Sequence, residues 1–183
     1  MMLAYDPVPM ESGVLDFEVA GMLMAKNGQT NKFCSLKNMR NESDVEQTFI
    51  RRLLEDLGYT DDYIETKATA AQLNIGKQRK PRLYKPDFIC FLDKKHKLPV
   101  ITVDGKHPTA DAEEGCADAQ LYAAVMRRTL ASPKPDQVCI GSNGHGTLVK
   151  HHDSDQNLFN LAFSDFVDAN SDFNCEIASN CIS

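Results

Sequence analysis

The chain is expected to fold as an α/β protein with a mixed central sheet flanked by helices. Two short apolar runs, PDFICFL and PVITV, place apolar residues on both faces of a strand, which is typical of central strands covered on both sides. One stretch with helical spacing precedes these runs and a second one follows them. Another apolar run, QVCIG, comes after the second helix. This order of helices and strands indicates a sheet with helices packed against it.

Composition narrows the class of protein further. With 183 residues, 42% of them hydrophobic, the chain is long enough for one domain with a substantial core. Its formal charge of −6 is not typical of a free-standing nucleic-acid binder. The charge is uneven, because Lys and Arg counted against Asp and Glu give +6 for residues 77–97 and −6 for residues 151–183.

Cysteine usage and hydropathy bear on the compartment. The six cysteines are scattered and form no CxxC pair, which favours reduced, hydrophobic cysteines in a cytoplasmic protein over a zinc site. The N-terminus lacks the pattern of a signal peptide. No apolar run approaches the about 18 residues of a membrane span, so we expect no membrane partner.

The first forty residues carry weak signals. Asn27-Gly28 is typical of a hairpin turn, although an irregular arm would fit residues 1–40 equally well. The following stretch NESDVEQTFIRRLLEDLGY has apolar residues at helical spacing, and Gly58 supplies the stop. Ser43 and Glu46 fit a Ser-x-x-Glu capping box. The alternative is that Glu46, on the buried edge of this helix, leans toward a functional site, for which Glu42 is a weaker candidate.

Residues 63–76 alternate loosely and predict a strand or a hairpin. The basic stretch GKQRKPRLYKP follows, and such a charge run is often a solvated surface. Its place directly before an acidic strand raises the alternative that it binds phosphates, with sequence-independent and salt-sensitive affinity. The residues predicted to contact DNA are Lys77, Arg79, Lys80, Arg82 and Lys85.

The stretch KPDFICFLDKKHKLPVITVDGK carries the main chemical signal. Its two apolar runs, joined by a basic turn, predict a hairpin with Asp87 at the start of one strand and Asp104 at the end of the other. Asp104 and Lys106 would project to the same side, because strand residues alternate faces. Two carboxylates and the backbone carbonyl of Gly105 suit Mg²⁺, with Mn²⁺ as a substitute. Lys106 would then orient an attacking water or offset charge on the phosphate, although Asp104 and Lys106 could also be surface residues at a strand end.

The remaining stretch completes the predicted architecture. DAEEGCADAQLYAAVMRRTL has the spacing of a long helix, with acidic residues at its front and arginines near its end. QVCIG and TLVK predict two further strands. In the acidic tail of residues 151–183, LFNLAF predicts one more strand before a weak amphipathic helix.

Several ordered blocks resemble a known family. ESDVEQTFIRRLLEDLGY, IETK, YKPDF, PVITVDGK and EEGCADAQLYA are together similar to the N-terminal nuclease domain of type I restriction enzyme R subunits. Related fused restriction enzymes share that domain, which belongs to the PD-(D/E)xK nuclease superfamily. The resemblance covers roughly residues 41–150 and implies a restriction-endonuclease-like core there. Residues 1–40 would then be an arm, and residues 151–183 an acidic extension leading to downstream domains.

The resemblance also implies roles for particular residues. Asp87 and Asp104 would be metal ligands, Lys106 the catalytic lysine and Glu46 the helix glutamate. Tyr122 matches a tyrosine of that family, but Asp118 stands four residues earlier, where the family often has Gln or Glu. The pair Asp118 and Tyr122 is therefore only a possible accessory of the site, and Tyr122 could equally be a half-buried helix aromatic.

The implied function is Mg²⁺-dependent cleavage of double-stranded DNA. The chain has no G-x-x-x-x-G-K-[ST] motif, so any use of ATP would lie in other domains. Motor, methylase and specificity subunits or domains of a restriction complex are the expected partners. Two alternatives stay open: a repair or junction-resolving nuclease of the same fold, and a non-catalytic docking module.

Overall fold

A computed structural model describes residues 29–67, 85–129 and 137–167. Within these ranges, six strands form one sheet, and their spatial order follows their order in the chain. The strands are β1 (Ile64–Thr66), β2 (Phe88–Phe91), β3 (Pro99–Gly105), β4 (Val138–Ser142), β5 (Gly146–His151) and β6 (Asn157–Ala162). Neighbouring strands are antiparallel except for β3 and β4, which are parallel. The architecture is therefore α/β with a mixed sheet, as predicted from the sequence.

In the part of the chain that the structure describes, two helices flank the sheet. The first, α1, runs from Glu42 to Asp56 and consists of α-helical turns around a π-helical segment, Glu46–Ile50. The second, α2 (Ala112–Thr129), connects β3 to β4, because parallel neighbours need a crossover rather than a tight turn. Short 3-10 turns lie at Leu36–Asn38, Asp61–Tyr63 and Phe163–Asp165.

The two helices cover opposite faces of the central strands. Val45 and Phe49 of α1 share a buried cluster with Phe88 of β2. Met126 of α2 instead packs with Ile89, the next residue of β2, which points to the other face. Every residue of β2 and β3 is buried, which confirms the prediction of central strands covered on both sides.

The start of α1 differs from its prediction. Asn41 is the N-cap, and its side chain accepts a hydrogen bond from the backbone N–H of Asp44 at 2.9 Å. Ser43 lies inside the first turn, so the predicted Ser43–Glu46 capping box is wrong. Glu42 is the first helical residue rather than a residue before the helix. Glu46 therefore has no capping role, and its side chain is available for other contacts.

Close backbone approach fixes α2 against the sheet. A Cβ atom added to Gly141 of β4 would lie 2.0 Å from the backbone nitrogen of Cys116 and 2.4 Å from the carbonyl oxygen of Ala112. Only glycine fits such an approach. Gly58, at φ +92°, follows the end of α1 and fulfils the predicted helix stop.

The other predicted strands agree with the structure where it describes them. The antiparallel pairing of β2 with β3 confirms the hairpin around the basic turn, and QVCIG, TLVK and LFNLAF correspond to β4, β5 and β6. β5 continues to His151 and pairs with β6, so one sheet extends across residue 150. The possible hairpin near Asn27, most of residues 63–76 and the tail helix lie outside the described residues. Within the described ranges, no helix is long and apolar enough to cross a membrane.

Candidate metal centre and lysine pair

The β2–β3 hairpin brings Asp87 to the end of β3. The register pairs Phe88 with Val103, and the backbone N–H of Asp87 donates to the carbonyl of Val103 at 3.1 Å. The carboxylate of Asp87 accepts a hydrogen bond from the backbone N–H of Gly105 at 2.7 Å. Asp87 is thereby held beside the backbone between Asp104 and Lys106.

Gly105 allows α1 to approach this strand end. A Cβ atom at Gly105 would lie 3.1 Å from Cδ1 of Ile50, 3.3 Å from Cγ of Glu46 and 3.4 Å from Oδ2 of Asp87. A side chain would crowd all three groups. A contact of the Gly105 carbonyl with a metal stays a prediction, whereas the amide of Gly105 donates to Asp87.

Glu46 and Glu42 reach the same place from α1. One carboxylate oxygen from each of Glu42, Glu46 and Asp87 lies within 4.8 Å of the others. Glu46 is 2% exposed and begins the π-helical segment, a local widening that is frequent at functional sites. Glu42, the weaker candidate from sequence, thus belongs to this group together with Glu46.

Lys67 joins the site although its sequence pattern did not predict it. Its Nζ lies 3.0 Å from one carboxylate oxygen of Glu46 and 3.2 Å from the other. Its backbone N–H donates to the carbonyl of Asp87 at 2.8 Å, so Lys67 contacts both acidic residues. The signal that could have indicated it is its place in IETK, one residue after the strand that pairs with the Asp87 strand.

Lys106 lies between two other carboxylates. Its Nζ is 2.8 Å from Oδ2 of Asp104 and 2.6 Å from Oδ2 of Asp118. Burial acts to lower the pKa of Lys106, but the contacts with Asp104 and Asp118 outweigh it and raise the pKa above its ordinary value. Lys106 is therefore a fixed positive charge over the whole physiological range.

The buried carboxyls have raised pKa values. Burial raises the pKa of Asp104 to about 7, with the Asp87 carboxylate adding to the shift and Lys106 opposing it. Burial likewise raises the pKa of Asp87 to about 6, reinforced by Glu46 and opposed by the Gly105 amide. Like charges thus accumulate at one spot, which is the condition that a bound cation relieves.

The front half of α2 completes the site. A Cβ atom at Gly115 would lie 2.8 Å from the carbonyl oxygen of Asp104 and 3.2 Å from Cγ of Lys106, so this part of α2 lies directly against β3. Asp118 and Tyr122 occupy one helix face, four residues apart. Tyr122 is buried, and burial with the nearby Asp104 raises its pKa to about 12, so the phenol keeps its proton.

The basic residues divide between two places. Lys85 is exposed and lies two residues before Asp87, whereas the other four predicted DNA contacts, Lys77, Arg79, Lys80 and Arg82, lie outside the described residues. The lysines of the β2–β3 turn lie at the opposite end of the hairpin, beyond four strand residues or roughly 13 Å. Lys94 there pairs with Asp62 at 2.7 Å. The positive charge of residues 77–97 is therefore divided, because the turn lysines lie away from the site.

Comparisons with known proteins returned no matching family model, curated protein or solved structure. The functional conclusion below therefore depends on the geometry of the chain and on the resemblance of its motifs.

Proposed function

We propose that the chain is a Mg²⁺-dependent DNA endonuclease domain with a PD-(D/E)xK core. One observation carries the proposal: the β2–β3 hairpin gathers Asp87, Asp104 and Lys106 at the end of two central strands, next to Glu46 of α1. The resemblance to the nuclease domain of type I restriction enzyme R subunits supports the same function.

The donor set is suited to a hard divalent cation. The carboxylates of Glu42, Glu46 and Asp87 offer oxygen atoms within 4.8 Å of one another, and the described part of this group contains no sulfur or imidazole ligand. Oxygen ligands are those that Mg²⁺ and Mn²⁺ prefer. Oδ2 of Asp104 is buried and pairs with Lys106 without the alignment of a hydrogen bond. These residues therefore fit Mg²⁺ around Asp87, whereas Asp104, the other ligand predicted from sequence, lies outside the cluster of three carboxylates and faces Lys106.

Each group of the site would have a separate role in phosphodiester hydrolysis. Bound Mg²⁺ would supply Lewis-acid polarisation of the scissile phosphate and a lowered pKa for a bound water. Lys106, held by Asp104 and Asp118, would direct its ammonium to that water or to the developing negative charge. Glu46 would belong to the acidic group around Asp87. Tyr122 would remain a neutral hydrogen-bonding group near Asp104 and Asp118.

The charge distribution supports a role inside a larger assembly. A net charge of −6 limits the DNA affinity of the chain alone, so selection and delivery of DNA would come from specificity, methylase and motor subunits or domains. ATP would be used only by such a motor. Contacts of the chain itself would be made by the basic stretch before Asp87, through phosphates.

Plasmid nicking tests the proposal. With Mg²⁺ or Mn²⁺ at low ionic strength, the wild-type chain is expected to relax supercoiled DNA. Asp104→Asn and Lys106→Met should lower the rate by at least about 100-fold, the usual range for lost charge stabilisation. The matched controls are Asp62→Asn and Lys94→Met, which remove an ion pair at the far end of the hairpin.

Two results would contradict this assignment. Cleavage that persists in Asp104→Asn and Lys106→Met would place the catalytic centre elsewhere. Absence of both cleavage and Mn²⁺ binding by the folded wild-type chain would favour the alternative of a non-catalytic docking module.

A further inference from the structure

Lys67 forms an ion pair with Glu46, one of the carboxylates proposed to bind the metal. Its ammonium lies 3.0 and 3.2 Å from the two oxygens of Glu46, so both ligand atoms of this glutamate face a cation that belongs to the chain itself. While this pairing persists, the ammonium occupies the face of the carboxylate on which a divalent ion would bind both oxygens of Glu46.

The two partners differ in exposure. The side chain of Lys67 is 60% exposed, whereas that of Glu46 is 2% exposed. Glu46 is fixed by its surroundings in α1, but Lys67 reaches in from the surface and can return to water. Losing the ammonium outright would leave the buried carboxylate of Glu46 unpaired, which is costly, whereas exchange for another cation keeps this charge compensated.

The backbone holds Lys67 in place while its side chain remains able to leave. Lys67 has φ +43°, a left-handed conformation that is uncommon for a residue other than glycine, and its amide donates to the carbonyl of Asp87. This amide hydrogen bond therefore anchors the residue beside the acidic group independently of the ammonium.

The ammonium of Lys67 offsets the repulsion among the carboxylates of the site. Glu42, Glu46 and Asp87 place three carboxylates within 4.8 Å, and mutual repulsion would disfavour this arrangement without a cation. Lys106 lies against Asp104 and Asp118 instead. Lys67 is thus the counter-charge on the α1 side of the site.

We propose that Lys67 is a displaceable counter-cation, which pairs with Glu46 in the metal-free chain and competes with a divalent ion for the same face of its carboxylate. The inference rests on the proposed metal centre. It makes metal binding a cation exchange, so the apparent affinity is lowered by the competing ammonium. Because its backbone is anchored to Asp87, the released ammonium would stay near the acidic group, where a DNA phosphate is a matching anion.

Mn²⁺ titration of the full chain tests this role without reference to catalysis. The dissociation constant, measured by electron paramagnetic resonance of free Mn²⁺, should be about fivefold lower in Lys67→Met than in the wild type, the ratio for losing an exposed competing ion pair. Lys67→Arg should retain the weaker binding, because it keeps the competing charge. Lys94→Met, which removes a comparable exposed lysine–aspartate pair, should bind Mn²⁺ as the wild type does.

The outcomes separate this inference from the proposed function. Mn²⁺ binding that is equal or weaker in Lys67→Met, with binding lost in Asp87→Asn, would overturn the role of Lys67 and leave the metal centre intact. No Mn²⁺ binding by any variant would overturn both. If Lys67→Met is unfolded, Lys67→Gln replaces it, and the rate of amine labelling of Lys67 is measured in the wild type with and without Mn²⁺. The labelling rate of Lys94 should stay constant and serves as the control. A labelling rate of Lys67 that does not rise with Mn²⁺ overturns the inference.

Discussion

Asp87 is the residue at which the two halves of the site meet. Its carboxylate accepts the Gly105 amide on β3 and lies with Glu42 and Glu46 of α1. Burial, reinforced by Glu46 and Glu42 and opposed by the Gly105 amide, raises the pKa of Asp87 to about 6 from an ordinary value of 3.8. A raised carboxyl pKa means that folding is opposed by ionisation of this group, so the site is electrostatically strained in the metal-free chain.

The raised pKa of Asp87 predicts a pH-dependent stability. Between pH 4 and 6 the folded chain keeps the proton of Asp87 while the unfolded chain has lost it, so this group lowers the free energy of unfolding as pH rises. With chelator at pH 8, Asp87→Asn should be about 1–3 kcal/mol more stable than the wild type, since asparagine can still accept from Gly105. The gain should vanish near pH 4.

Denaturant titrations across this pH range measure the effect. Adding Mg²⁺ should stabilise the wild type more than Asp87→Asn, because only the wild type retains the full ligand set. A wild type that is more stable than Asp87→Asn at pH 8 in chelator would contradict the electrostatic argument.

At the scale of elements, the start of α1 decides how the site is built. Because Asn41 caps the helix, Glu46 is released from capping and can face Asp87. The π-helical segment then begins at Glu46 itself. The Asn41 cap, the π-helical segment and the glutamates of the acidic group therefore lie in one helix. Single substitutions can test the contribution of each feature separately.

Two neighbouring substitutions distinguish the caps. Asn41→Ala removes the acceptor for the Asp44 N–H and should lower the free energy of unfolding by about 1 kcal/mol. Ser43→Ala, which removes the cap predicted from sequence, should change it by less than about 0.5 kcal/mol. Urea denaturation measures both, and a larger loss for Ser43→Ala than for Asn41→Ala would restore the Ser43 capping box.

At the scale of the whole molecule, local periodicity predicted most of the fold. The alternation in PDFICFL and PVITV corresponds to β2 and β3, and the helical spacing after Asp111 corresponds to α2. These features depend on neighbouring residues, which a sequence pattern reports directly. The cap of α1 was missed because Asn41 and Ser43 are both good cap residues two positions apart.

Features that depend on long-range packing were not predicted. Lys67 enters the site only because β1 pairs with β2, which brings it beside Asp87 across twenty residues of chain. Conversely, Lys94 is close to Asp87 in sequence but lies at the other end of the hairpin. Distance along the chain is therefore a poor guide to which lysines lie at the site: Lys67 is far from Asp87 in sequence but beside it in space, and Lys94 is the reverse.

This division of charge leads to a prediction about DNA binding. The four basic residues before the Asp87 strand are expected to contact phosphates, whereas the turn lysines are expected to be too far away. The two sets for alanine substitution are Lys77, Arg79, Lys80 and Arg82 on the one hand and Lys94, Lys95 and Lys97 on the other. Each lost phosphate contact reduces the dependence of log K on log salt by about 0.9.

Fluorescence anisotropy with duplex DNA, measured from about 20 to 200 mM salt in Ca²⁺, provides the test. The first set should weaken binding at low salt and reduce the salt slope by about 3 to 4; the second should leave that slope nearly unchanged. Circular dichroism of both variants controls for folding. If the two sets reduce the slope equally, long-range attraction by net charge explains the binding. Direct phosphate contacts next to Asp87 would instead require the basic stretch to matter more than the turn lysines.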